Sequence, residues 1–510
     1  KFNVVRAKAF KAGALSSETA TRSFIVDPKG AGRYTLPVIS LVTDPKNFFD
    51  PNIGIYVPGN APGGNYAQSG DAWERPVHVE MFEPDGRRVI SQSSGIRIHG
   101  NTSFGAPIKG LRLHPLNPPG NGPFKYPIFP DLSIQQFNRL LLRPSGQDYN
   151  LTFLRDVFMQ SFGAEMGLDV QAYRPAVVFL DGEYWGLHNV QEAYEEGYFA
   201  SHHGVDPDAV DYLEGFVFAN EGDTAAWDAM MNFLNTHDLS QPTNYATLQT
   251  MMEVANYIDY KVCEIYFYRW DIGNHRPWRP RTPEGRFRWI LFDCDVGWGG
   301  FWAVPPAWAF PMLAYDLEPN GPWTQYEQNP GGNDHNAPIV TFLLRSLTNN
   351  ASFRRDFINR FADVLKTTFD AARVIRRIDD FSGRIAPEMR EHVQRWRAPA
   401  SVAVWSNNVQ YLRDFAVQRP AFMQQQLTNV FRLPGTVTVT LRVNDTNAGS
   451  IRVSTLTVAP ATNAPWTGTY FKDNPLTFTA LANPGYTFVR WTGLLDPSNS
   501  VTLALLGNVA

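Results

Sequence analysis

Residues Ile265–Gly300, IYFYRWDIGNHRPWRPRTPEGRFRWILFDCDVGWGG, read as the end of a helix, a polar loop, a hairpin and a second, acidic loop. Asp271 and Asn274 fall on the first loop. Asp293 and Asp295 stand at the end of a strand expected over Phe287–Phe292. A turn at Pro283-Glu284-Gly285 folds the second group back towards the first. Three carboxylates and a carboxamide thereby come within reach of one another. Phosphoryl-transfer chemistry uses such a layout: one Asp orients the acceptor hydroxyl, while an Asn and a second Asp hold the metal on the nucleotide phosphates. Hard oxygen donors suit magnesium or manganese. The bland alternative is a polar turn with solvated acids, since Asp-x-Asp is a short pattern.

The bulk properties narrow the field. A chain of 510 residues implies several domains, or one large domain with additions. Its 44% of apolar residues suffices for a sizeable core. A net charge of -4 gives no basic field for nucleic acid or an anionic membrane. No apolar run is long enough to span a bilayer; the most apolar patch, Phe301–Tyr315, is broken by Pro305, Pro306 and Pro311. Cys263 and Cys294 allow at most one bridge and read as buried free thiols. No signal peptide is present, and Lys1 already lies in a strand-like pattern, so the N-terminus reads as trimmed.

Residues 1–33 read as the last two strands of a small β-sandwich followed by a Gly-rich linker, Asp27–Arg33. Strands are then expected at Val38–Val42, after the Asp50–Gly54 turn, and at Trp73–Phe82. A long hairpin over Ser91–Pro115 carries Gly100, Ser103 and Gly105 at its tip, with Lys109 on the returning side. A short strand at Leu140–Arg143, a helix at Thr152–Met166 and a hairpin about Asp181-Gly182 follow. From Tyr198 the periodicity turns helical: Ala225–Leu234, Tyr245–Met252, Val254–Tyr268, Ile339–Leu347, Ser352–Leu365, Ala371–Ile385 and Val404–Phe415. Thr436–Ala510 returns to alternation rich in Thr and Val.

LPVISLVTDP, WERPVHVEMF, GIRIHGNTSFGAPIKGLRL, LRD (Leu154–Asp156), FLDGEYWGLHNVQE, WDIGN, RFRWILFDCDVGWG, FRRDFINRFADVL and HVQRW (His392–Trp396) occur in this order. With them the region from about Leu36 to Leu433 resembles the spore coat protein H (CotH) kinase family. The resemblance implies an α+β, atypical protein-kinase-like two-lobed fold, with a β-rich lobe over 34–197 and a helical lobe over 198–433. The flanks, 1–33 and 434–510, resemble bacterial extracellular β-modules; PGYTFVRWTG (Pro484–Gly493) resembles a β-repeat core. The implied activity is transfer of phosphate from ATP, with Mg2+ or Mn2+, to Ser/Thr side chains of a secreted or surface protein in a bacterium. By the same resemblance Asp271 matches the catalytic Asp, and Asn274, Asp293 and Asp295 match the metal ligands. Lys109 matches the phosphate-contacting Lys, and Asp156 is the acid expected to hold it. Glu192 ends a strand where a hinge would meet adenine, and Gly100 and Ser103 belong to the tip over the nucleotide. His275 and His99 depart from the family pattern, where Asn and Arg are frequent.

Two other readings stand beside this one. An inactive kinase fold could serve surface display, its flanking modules contacting cell envelope or polysaccharide. A carbohydrate-active enzyme could use Asp-x-Asp or paired carboxylates, with Trp278, Trp298, Trp302 and Trp308 stacking on sugars. Asp271-x-x-Asn274 together with Lys109 favours the kinase. Without a cation, Asp293 and Asp295 are expected to repel one another and one of them to have a raised pKa.

Overall fold

A computed structural model describes residues 2–115, 122–215, 218–300, 306–319, 337–493 and 496–510. Its first elements are a hairpin, β1 (Phe2–Ala7) and β2 (Ala20–Ile25), then β3 (Val38–Val42), a single helical turn α1 (Lys46–Phe49), β4 (Arg75–Phe82), β5 (Arg88–His99) and β6 (Gly110–His114). A short pair, β7 (Phe124–Lys125) and β8 (Gln136–Phe137), precedes β9 (Leu140–Arg143), helix α2 (Arg155–Glu165) and the hairpin β10 (Tyr173–Leu180) and β11 (Glu183–Glu192).

Seven of these strands close into a barrel, in the order β3-β4-β5-β6-β9-β11-β10 and back to β3. The closing pair β10–β3 is parallel, with Val38 opposite Val177 and Leu41 opposite Leu180; the other neighbours are antiparallel. Alternate residues fill the interior, as period-two strands require: Ile39 and Leu41, Val77 and Val79, Leu111 and Leu113, Leu140 and Leu142, Ala176 and Val178. On the outer face, Val177, Phe179 and Leu187 join the core shared with the helices. The strand expected after Gly54 does not form. Ile55 and Tyr56 are buried in a loop whose N–H groups donate to the carbonyls of Asn47 and Phe48 at the end of α1.

The hairpin β1–β2 leans on the barrel. Phe2 stacks on Phe179 with centroids 4.0 Å apart, and the Ser23 N–H donates to buried Glu80 at 2.7 Å. The segment read as a linker is anchored: Arg33 pairs with Glu388 and Glu391.

After β11 come α3 (Glu196–His203), β12 (Val210–Glu214), β13 (Phe218–Glu221), α4 (Ala225–Thr236), α5 (Pro242–Leu248) and α6 (Val254–Tyr266). Next are β14 (Arg276–Pro280), β15 (Arg288–Ile290), α7 (Met312–Tyr315), α8 (Pro338–Thr348), α9 (Ala351–Lys366), α10 (Ala371–Trp396) and α11 (Val402–Val430). The strands β13-β12-β14-β15 form one sheet. Helix α9 starts where the Asn350 side chain accepts the N–H groups of Ser352 and Phe353, and its Phe353, Phe357 and Phe361 share one buried face.

Helices α10 and α11 run well past Ile385 and Phe415, where the apolar period fades. The reason is that their buried faces turn polar. Glu388 accepts from the Thr35 N–H and hydroxyl, and His392 accepts the Leu187 N–H. Fully buried Arg419 donates to the carbonyls of Ile265, Tyr266, Trp308 and Phe310. Conversely, the helix expected from Thr152 starts only at Arg155, because Phe153 has a positive φ of 68°.

The last strands are β16 (Thr436–Leu441), β17 (Gly449–Val453), β18 (Leu456–Val458), β19 (Trp466–Phe471), β20 (Pro475–Ala482) and β21 (Ser500–Ala504). They form sheets β16-β19 and β18-β17-β20-β21. Buried Asp363 of α9 fixes them to the helices, accepting from the Thr455 N–H at 3.0 Å and the Tyr470 hydroxyl at 2.6 Å. Both cysteines are free and buried, and among the described residues no helix is long and apolar enough to cross a membrane.

Candidate active site

The site is organised by Arg143, the last residue of β9 and one that the sequence did not single out. Its guanidinium donates to Asp156 at 2.9 Å, to Asp293, and to Asp295 at 3.3 Å. Asp156 was expected to hold Lys109; it holds Arg143 instead. Its carboxylate also accepts from Gln160, from Gln191 and from the Cys294 N–H at 2.9 Å. One buried acid therefore ties α2, β9, β11 and the Asp293–Asp295 loop together.

The loop between β9 and α2 supplies the next contacts. Buried Asp148 accepts the N–H groups of Thr152, Leu154 and Arg155 and pairs with the Arg155 side chain. That fixes the start of α2 and hence Asp156. The Gln147 N–H donates to Asp295 at 2.6 Å, and its side-chain amide donates to Thr102 Oγ1 at 2.8 Å. Thr102 lies between Gly100 and Ser103, so the hairpin tip comes to the acid loops through Gln147. Gly146 (φ 54°) packs so closely that a Cβ would overlap the Asp295 carboxylate and the Arg143 guanidinium. Gly146→Ala is expected to cost about 1–3 kcal/mol in left-handed strain and displaced side chains. Denaturant unfolding checks it; an unchanged midpoint would show that the loop yields freely.

Asp271 and Asn274 sit on the turn after α6, and Asp271 is half-buried. The Asn274 amide donates to Asp293 Oδ2 at 2.9 Å, which joins the two loops. Beneath them lies Arg269, also not singled out by the sequence. Its fully buried guanidinium donates to the carbonyls of Asn274 at 2.5 Å and Asp293 at 3.3 Å. It pairs with Glu264 at 2.6 Å; Glu264 binds Lys261, which binds Asp316. Asp293 has a positive φ of 51°, so the strand stops at Ile290 and a bent loop presents the two acids.

The electrostatics follow from these partners. Burial pushes the Asp293 carboxyl up, but Arg143, Arg269 and Arg276 outweigh it and hold it down at about 2. Burial and the neighbouring Asp293 charge push Asp295 well above the ordinary carboxylate range. Arg143, buried among three carboxylates, is raised. The repulsion expected between the two acids is thus partly offset by a shared guanidinium.

Other expected site residues are placed differently. The Lys109 ammonium donates to the carbonyls of Phe104 and Ala106 at 2.6 and 2.9 Å and lies 4.2 Å from the Tyr66 ring centre. It pins the hairpin tip, and burial lowers its pKa to about 8. Glu192 accepts from the Ala172 N–H and bonds His202; it also lines a cavity of about 500 Å³ with Glu195, Glu196 and Tyr198. Buried His275 packs against Trp227, with centroids 5.9 Å apart, and burial pushes it down to about 3. Trp278 and Trp298 are buried and Trp308 partly so, which removes these three as an exposed sugar platform; Trp302 lies outside the described residues. Among the described residues, no group of three or more His, Cys, Asp or Glu side chains is gathered to hold a metal ion.

Comparison with known proteins completes the description. Residues 96–423 match the family model described as CotH kinase protein. This span runs from β5 to α11 and contains Lys109, Arg143, Asp156, Glu192, Asp271, Asn274, Asp293 and Asp295. No curated protein matches the chain.

Proposed function

The chain belongs to the CotH kinase protein family, and from that membership we propose that it transfers the γ-phosphate of ATP to Ser or Thr hydroxyls of secreted or surface proteins. The observation that carries this reading is the bond from Asn274 to Asp293. It draws the Asp271 loop onto the Asp293–Asp295 loop, to which Gln147 also joins the hairpin tip. In this arrangement Asp271 orients the acceptor hydroxyl and takes its proton. Arg143 fixes the directions of Asp293 and Asp295, and Asp156 fixes Arg143. The hairpin tip, pinned by Lys109, shields the cleft from water.

Asp293, Asp295 and the side-chain oxygen of Asn274 are the donors offered to Mg2+ or Mn2+. They fit such an ion in the chemistry of their oxygens: burial and the Asp293 charge push Asp295 up, and a divalent cation would relieve that repulsion. Bound ATP and its metal supply the phosphoryl group and neutralise its charge in transfer. Secretion or surface location in a bacterium, and any contact with envelope or polysaccharide, belong to the same proposal. They rest on the resemblance of residues 1–33 and 434–510 to extracellular modules.

The test is incorporation of label from γ-labelled ATP into Ser-rich and acidic acceptor proteins, with and without magnesium, expected to require the metal. A second reading, an inactive kinase fold used for display, draws on Arg143 bonding both loop acids where a cation would otherwise lie. Absence of any nucleotide-dependent thermal shift would favour it; a nucleotide at about 100 times its Kd stabilises by about 2.7 kcal/mol.

A further inference from the structure

Helix α6 ends in a buried row of four charges. Lys261 and Glu264 lie on the helix, Arg269 just beyond it and Asp316 at the end of α7. The signs alternate along the row. Asp316 binds Lys261 at 2.6 Å, Lys261 binds Glu264, and Glu264 binds Arg269 at 2.6 Å. The Tyr260 hydroxyl donates to the Glu264 oxygen that faces Arg269, at 2.9 Å.

The row ends on both acid loops. With Glu264 accepting from one arm of the guanidinium, Arg269 turns its other donors to the Asn274 carbonyl at 2.5 Å and the Asp293 carbonyl at 3.3 Å. The far end is anchored. Arg419 gathers the carbonyls of Ile265 and Tyr266, at the end of α6, with those of Trp308 and Phe310, ahead of α7. The Phe310 ring lies 4.9 Å from that of Tyr268. Asp316 is therefore held against α6, and the guanidinium against both loops.

Packing alone does not explain the row. Desolvating four charges is unfavourable, and apolar side chains of like volume would hold α6 as firmly. What ions supply and apolar groups lack is direction. A guanidinium is a rigid planar fork, and a carboxylate fixed by two further donors sets which way it faces.

We propose that Arg269 and Glu264 are positioning residues for phosphoryl transfer. Together they fix the separation of the Asp271 turn from the Asp293–Asp295 loop, with Lys261 and Asp316 holding Glu264 in place. The inference rests on the kinase reading and adds to it two residues that touch neither nucleotide nor acceptor. A displacement of about 1 Å between Asp271 and the phosphates is enough to slow transfer about a hundredfold.

The test compares wild type with Arg269→Lys and with the double variant Arg269→Met/Glu264→Gln. A lysine keeps the pair with Glu264 but loses the fork to the two carbonyls. The double variant removes the pair without stranding a charge, since Lys261 keeps Asp316, and it leaves the Tyr260 hydroxyl an acceptor. Thermal melting checks that each is folded. Label transfer from γ-labelled ATP is expected to fall about a hundredfold in both. MgATP affinity, by calorimetry, is expected to fall less than about tenfold, because Asp293 and Asp295 keep Arg143 and Asn274 keeps Asp293. Hydrogen exchange of the Asn274 and Gly297 N–H groups, which close the two loops on Asp271 and Cys294, is expected to speed up about tenfold. Undiminished transfer in a folded variant, or loop amides that exchange as in wild type, would overturn this inference and leave the kinase reading standing. Equal losses of transfer and MgATP affinity would overturn it too, by making the pair a support of the nucleotide site alone. If wild type transfers no label, the kinase reading falls and this inference with it.

Discussion

Asp271→Asn is expected to abolish phosphoryl transfer while leaving the fold and nucleotide binding in place. Its loop is held by backbone bonds that the substitution does not touch: Arg269 grips the Asn274 carbonyl, and the Asn274 N–H closes the turn on the Asp271 carbonyl at 3.2 Å. The donors proposed for the metal lie elsewhere, on Asn274, Asp293 and Asp295. On the proposed function, what the substitution removes is the base that takes the acceptor proton, a loss of about a hundredfold to ten-thousandfold in rate. Label incorporation, set beside calorimetric titration of MgATP, separates the two effects. Undiminished incorporation would remove Asp271 from the chemistry, and lost nucleotide affinity would assign it a binding role.

The largest effect on stability is expected from Arg143→Ala. The side chain is 13% exposed, and its partners Asp156 and Asp295 are 1% and 4% exposed. Removing it strands buried carboxylates without their shared counter-ion, a cost of about 3–5 kcal/mol. The sign with pH follows. Carboxyls stripped of the guanidinium have folded-state pKa values above their unfolded ones, so they destabilise when ionised and cease to as pH falls. In the wild type, Asp293 is held down at about 2, and the stability this lends is lost as pH falls from about 4 towards 2. The deficit of the variant should therefore be greatest near neutrality and shrink on acidification. Urea unfolding at pH 7 and pH 4 measures it, and a deficit constant across that range would show that lost packing, not lost charge, is the cause.

The acid loops were legible in the sequence because they interrupt an apolar run: RWILF passes straight into Asp-Cys-Asp, and WDI into Gly-Asn. Their supports were not. Arg143 closes a four-residue strand and Arg269 precedes a tryptophan, and neither position carries a periodic mark of burial. Arg143 meets Asp293 far along the chain, and Arg269 links its near neighbours Glu264 and Asn274 to the distant carbonyl of that same aspartate. The bonds of Lys109 were not legible either, since a lysine after a tight hairpin finds loop carbonyls within its own reach. The strands of the barrel show in their alternation, but its closure does not. A parallel pairing between β3 and β10 leaves no local signature, because neither strand adjoins the other in sequence.

That closure governs the order in which the molecule can assemble. Val38 finds Val177 only after everything between them has been synthesised, and a contact of such separation is paid for in chain entropy before it returns anything. Until then β3 presents a bare edge to any other extended chain. Afterwards no edge of the barrel remains open. The arginine that gathers the acids stands on β9, between β6 and β11, and it meets Asp293 more than a hundred residues later still. A ribosome-bound fragment is thus exposed to mispairing at β3 until β10 has emerged, and the cleft takes shape only after the Asp293 loop has followed.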